Sequence, residues 1–227
     1  MGSPIASFGW FLLSFMACSS SLIVISLPCI NADPTDGFTP VPLTDPNFKL
    51  QKPYNVPAGD CYSDVNGVLT LWVRSSDQAF KHGSPTLPRA EIRIKGYDYS
   101  SGVWQFEGDM FVPNGTTGAT VMQIRRENGQ LPATILMLMV YDGVLKFHSG
   151  TKDVESNIYD RWMRLNVIHD VGNNTLTIYV DGVQKLQAEG NGDGSVSTFY
   201  FKFGVYEQKE HSPLMESRWQ NVKLYKK

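Results

Sequence analysis

Phe199-Tyr200-Phe201-Lys202-Phe203-Gly204-Val205-Tyr206-Glu207-Gln208 is the stretch on which the fold turns. Phe199, Phe201, Phe203 and Val205 fall on one side of it, and Tyr200, Lys202, Gly204, Tyr206 and Gln208 on the other. A repeat of two is the repeat of a β-strand, so one face is made for a core and the other for polar surroundings. Gly204 is expected to leave a gap between a cation and a phenol. The same alternation appears in Arg89-Ala90-Glu91-Ile92-Arg93-Ile94-Lys95, where Arg89, Glu91, Arg93 and Lys95 share a face. It appears again in Val121-Met122-Gln123-Ile124-Arg125, where Gln123 and Arg125 lie opposite Met122 and Ile124.

Outward from these three segments the chain keeps one character. Short runs of Val, Ile, Tyr, Phe and Thr are separated by Gly, Asn, Asp and Pro, and no long segment carries a helical repeat. Asp142-Gly143 and Asp181-Gly182 sit between alternating segments and read as type I′ hairpin turns, which need positive φ at both central residues. Gly172-Asn173-Asn174 reads as a third hairpin turn, with no turn type assigned. The fold class is therefore all-β, an antiparallel sandwich.

The 227 residues carry 20 Lys+Arg against 22 Asp+Glu, a formal charge of −2, and the pI is about 6.1. That balance excludes a general nucleic-acid binder, which needs a basic face. With 42% apolar residues, 12 Phe, 10 Tyr and 5 Trp, the chain is too apolar to be disordered.

Residues 1–32 contain no charged side chain and read as a secretory leader, with cleavage expected near Ala32. Residues 33–57 hold six prolines and read as an extended arm. Residues 58–227 form the β-sandwich, and arm and sandwich make one domain. The leader implies the secretory pathway, ending in a vacuole or the extracellular space and cell wall, with no membrane contact after its removal. Cys18 and Cys29 leave with it, so Cys61 stays alone as a packed thiol and no disulfide framework exists. Asn114-Gly115-Thr116 and Asn173-Asn174-Thr175 fit the N-glycosylation acceptor pattern.

One polar strand face is ordinary for an antiparallel sheet. Three faces favouring Arg, Lys, Gln and Tyr in an acidic protein point to more, if the strands are neighbours. Together they would form a carboxylate-binding cleft, because a guanidinium pairs a carboxylate bidentately, and Glu91 would hold the two flanking arginines. Metal-site spacings and cofactor fingerprints are lacking, so neither a metal nor a cofactor is expected. Of the histidines, His82 is placed to approach the cleft from a Gly-Ser-Pro loop, whereas His148, His169 and His211 read as local structural residues.

The three segments resemble the signature strands of the alginate lyase 2 domain, a concanavalin A-like β-jelly roll. The wider frame, from Asp33-Pro34-Thr35 through Gly96-Tyr97-Asp98-Tyr99 to Asn166-Val167-Ile168-His169-Asp170, looks like the plant citrate-binding proteins that carry this domain. In the lyases, an Arg of the first motif and the Gln of the second neutralise a uronate carboxylate, while a His of the second and the Tyr of the third carry protons. The resemblance places these roles on Arg89 or Arg93, on Gln123 and on Tyr206. It also places Arg125 where the lyases have their His, and an arginine keeps its proton at physiological pH.

Two functions follow. The first is a monomeric binder of a small carboxylate such as citrate or of a uronate oligosaccharide, using Arg89, Glu91, Arg93, Gln123, Arg125, Lys202, Tyr206 and Gln208. The alternative is a polysaccharide lyase cleaving a uronan by β-elimination, with Arg89, Arg93 and Gln123 stabilising the enolate-like intermediate. Tyr206 would then transfer protons, its phenol acidified by nearby cations.

Overall fold

The structure is a computed structural model that describes residues 33–127, 133–148, 152–190 and 197–227. The expected leader at residues 1–32 lies outside the described residues. The elements in chain order are β1 (Thr39–Val41), a 3₁₀ turn (Asp45–Asn47), β2 (Phe48–Gln51), a second 3₁₀ turn (Ala58–Asp60), β3 (Tyr62–Val65), β4 (Val68–Arg74), β5 (Arg89–Ile94), β6 (Val103–Phe111), β7 (Ala119–Glu127) and β8 (Thr134–Tyr141). They continue with β9 (Val144–Phe147), β10 (Lys152–Glu155), β11 (Trp162–Asp170), β12 (Thr175–Val180), β13 (Val183–Glu189), β14 (Thr198–Glu207) and β15 (Leu214–Lys226).

These strands form two antiparallel sheets. One runs β13-β12-β11-β6-β15-β4-β3, with β1 added on β15, and the other runs β10-β9-β8-β7-β14-β5-β2. The proline-dense arm thus gives a short edge strand to each sheet: β1 on β15 and β2 on β5. Edge positions suit it, because a proline has no N–H to give to a ladder.

The core lies between the sheets. Phe106 of β6, Phe203 of β14 and Trp219 of β15 meet with ring centroids 5.3 to 5.7 Å apart, and Phe201 and Phe203 are essentially unexposed. Burying an aromatic side chain of this kind stabilises by roughly 1.5–3 kcal/mol, so the alternation Phe199, Phe201, Phe203, Val205 fixes which face of β14 turns inward. Lys202 and Tyr206 are thereby committed to the other face.

The expected turns form as read. Asp142 and Gly143 have φ of 49° and 78°, and Asp181 and Gly182 have 52° and 79°. Asn174 supplies φ of 50° at the β11–β12 turn. Asn66-Gly67, with φ of 53° and 77°, makes a further hairpin turn between β3 and β4.

Gly204 departs from expectation. Its φ is 131°, and it lies where the β14–β7 register shifts between Phe203 and Tyr206. A Cβ there would collide with the Ala90 carbonyl oxygen and sit 2.8 Å from Glu91 Cα. The glycine therefore lets β14 press against β5 at a bulge, rather than opening space for a ligand.

Candidate functional site

The sheet order brings the three polar faces together. β14 runs between β5 and β7, with Lys202 opposite Arg93 on one side and Gln123 on the other, Tyr206 opposite Arg89, and Tyr200 opposite Arg125. The result is a cleft of about 350 Å³ on the outer face of this sheet. Arg89, Arg93, Arg125, Lys202, Tyr200 and Tyr206 come from the strands, and Phe80, Lys81, Ser84 and Thr86 of the β4–β5 loop also line it.

A buried ionic cluster lies at the floor. Glu91, 1% exposed, accepts from the Lys202 ammonium and the Gln123 amide, and from Arg89 Nη1 at 3.4 Å. Burial pulls the Lys202 ammonium down to about 8; Glu91 opposes that shift, whereas Arg89 and Arg125 add to it. An ion pair this deep is held by geometry on both partners, since either charge left alone would cost several kcal/mol.

Around this floor the cations divide into two kinds. Arg93 is already matched, with Nη2 at 2.5 Å from Asp98 and 3.1 Å from Glu127. Because Arg93 stands on β5 and Glu127 on β7, their pair spans β14, and the guanidinium lies 3.9 Å over the Tyr200 ring. Arg89 lies 3.9 Å over the Tyr206 ring, and Arg125 donates to the Thr134 hydroxyl at 3.0 Å. Neither of these last two is saturated by carboxylates as Arg93 is.

Glu91 holds Arg89, but it does not hold Arg93, whose partners Asp98 and Glu127 were missed. Glu127 was reachable, since it continues the Gln123, Arg125 face by one further alternate position. Lys81 sits in a loop and left no periodic signal. Gln208 lies beyond the end of β14, where its amide donates back to the Tyr206 carbonyl at 3.3 Å, so it is not among the residues lining the cleft. Lys95 lies just past β5 and is exposed.

No histidine lines the cleft. His82 packs edge-on against Tyr54 at 5.2 Å and lines a neighbouring cavity instead of the cleft. His169 is buried against Tyr99, whose hydroxyl lies 3.0 Å from Nδ1, and burial lowers its imidazole to about 4. Burial also lowers His148, and His211 stands 3.5 Å from Glu207. Cys61 is a free, buried thiol. Asn114 and Asn173 are both exposed and in turns. Among the described residues no three His, Cys, Asp or Glu side chains gather as metal ligands.

This arrangement sits within a known frame. The family model described as alginate lyase matches residues 41–226. The chain belongs to the alginate lyase 2 family. A relative within reach by sequence is the citrate-binding protein of Hevea brasiliensis, 54% identical over 197 residues, covering 86% of this chain and 80% of that protein. Solved alginate lyases share the jelly-roll fold. An alginate lyase of polysaccharide lyase family 7 superposes with a TM-score of 0.61 at 18% identity, over 80% of this chain and 95% of that one. The alginate lyase from Pseudomonas aeruginosa gives 0.62 at 14% identity, over 80% and 98%.

Proposed function

We propose that this alginate lyase 2 protein binds carboxylates in the β5–β14–β7 cleft, taking a citrate-like acid or a uronate sugar without cleaving it. The observation that carries this reading is the cleft lining itself. Lys81, Arg89, Arg93, Arg125 and Lys202 face it against one lining carboxylate, Glu127, and none of the four imidazoles does. A fixed guanidinium at Arg125 adds anion affinity and removes the base that the family resemblance would put there. The citrate-binding relative supports the same class of ligand.

In this reading Arg89 and Arg125 take the ligand's carboxylates, and Lys202 adds charge from below. Gln123 and Glu91 are positioning residues that keep Lys202 and Arg89 in place. Arg93 braces the wall through Glu127 and Asp98.

A lyase is the second reading, favoured by one feature: Tyr206, to which the family resemblance would give the proton-carrying role, lines the cleft beside Arg89. The deciding experiment incubates the purified protein and an Arg125→His variant with alginate, glucuronan and a pectic uronan, following ultraviolet absorbance of the unsaturated product. Citrate and uronate titrations by calorimetry run alongside. Saturable carboxylate binding with no unsaturated product from the natural protein is the expected result. A product formed by the natural protein would establish the lyase, and absence of any carboxylate binding would end the binding reading.

A further inference from the structure

The β4–β5 loop that walls the basic cleft also lines a second cavity, to which Lys81, Ser84 and Thr86 contribute as well. This cavity has a volume of about 550 Å³ and is lined by Tyr54, Asp77, His82, Leu87 and Glu207 among others. Its size is in the range of small-molecule sites. Its chemistry is opposite to that of the basic cleft.

Glu207 is the unusual group. It is 3% exposed, its Oε1 lies 3.5 Å from His211 Nε2, and its Oε2 is buried without a hydrogen-bond partner. A buried carboxylate oxygen with no donor costs free energy unless a ligand supplies one. Asp77 lines the same cavity, and burial together with the Asp77 charge pushes the Glu207 carboxyl up, against the pull of His211. Lys81 is the lining cation, and it sits on the partition, with its ammonium 6.0 Å from the Phe80 ring and a place in the basic cleft as well.

The two carboxylates call for a positive partner. The walls then distinguish a metal ion from an organic cation. Among the described residues no third metal-ligating side chain joins Asp77 and Glu207. Instead the Tyr54 ring, 46% exposed and packed edge-on to His82, stands at the cavity with Leu87. An aromatic face beside carboxylates suits an alkylammonium, whose charge takes the carboxylate and whose methylenes and N–H edge take the ring.

We propose that this cavity is a binding site for an organic ammonium group, held between the carboxylates of Glu207 and Asp77 and the ring of Tyr54. Glu207, Asp77 and Tyr54 lie outside the lining of the carboxylate cleft, so the site does not depend on how that cleft is read.

The test is calorimetric titration of the purified protein with putrescine, with calcium chloride and citrate as parallel titrants at equal ionic strength. Saturable putrescine binding is expected. It should weaken about tenfold or more in Glu207→Gln, as for a lost charge-assisted bond, and several-fold in Tyr54→Ala, as for a lost cation–π contact, with citrate affinity unchanged in both. Tyr54→Ala alters an exposed ring, so it decides the matter even if Glu207→Gln does not fold. The proposal is overturned if the natural protein shows no saturable putrescine binding, if neither variant weakens it, or if calcium binds there and displaces the amine.

Discussion

Arg89, Arg93 and Arg125 look alike along the chain, yet their partners give them different tasks. Arg93 is neutralised by Asp98 and Glu127 and stacked on Tyr200. Arg125 has a hydroxyl partner, and Arg89 a stack on Tyr206 with a long contact to a shared carboxylate. Replacing Arg89 or Arg125 by Ala should therefore weaken citrate or uronate binding by roughly ten- to a hundredfold, the worth of a charged hydrogen bond at about 1.5–3 kcal/mol. Arg93→Ala should cost less in direct affinity, and titration calorimetry on the three variants would rank them. Equal losses in all three would show that Arg93 also contacts the ligand. Lys202 makes a second prediction at this scale. With its ammonium held at about 8, it is charged below that pH and neutral above, so carboxylate affinity should fall as pH rises past about 8. The break should persist in Tyr206→Phe, which separates the lysine from the phenol.

Among the elements, β14 governs the site, and the turns govern the register that aligns its neighbours. Gly204→Ala would drive a methyl into the Ala90 carbonyl at positive φ. The expected loss is at least about 1–3 kcal/mol, read as a lower denaturant midpoint. Gly67→Ala isolates the backbone term, since nothing lies within 4 Å of an added Cβ while φ is +77°. A smaller loss of about 1–2 kcal/mol is expected from left-handed strain alone. If both substitutions cost the same, steric contact between β14 and β5 is not what requires the glycine at 204. The alternation of β5, β7 and β14 was legible in the sequence because it depends only on successive residues within each strand. The bulge at Gly204 was not, because it arises from pressure between two strands distant in sequence.

For the molecule as a whole, the aromatic core carries a built-in acid sensitivity. His169 is buried against Tyr99 and Phe199, and its imidazole is lowered to about 4, below its usual 6.5. The unfolded chain binds the proton first, so the neutral-imidazole contribution is complete above about pH 6.5 and is lost as pH falls from there toward 4. By linkage this is at most about 3 kcal/mol. Melting temperature followed from pH 7 to pH 4 should drop with this slope, and His169→Gln should flatten it. A slope unchanged in that variant would assign the acid sensitivity to other groups.

The sequence by itself determined the all-β class, the inward and outward faces of the three motif strands, three of the hairpin turns and the basic character of one surface. Each of these follows from periodicity or turn chemistry within a few residues. The tertiary structure alone decided which strands are neighbours, and so which charges meet. Glu91 and Lys202 are 111 positions apart and form the buried pair only because β5 lies beside β14. The same packing gave Arg93 its two carboxylates, kept His82 out of the cleft and buried Glu207. Electrostatic roles depend on distance and burial in three dimensions, which no local pattern specifies.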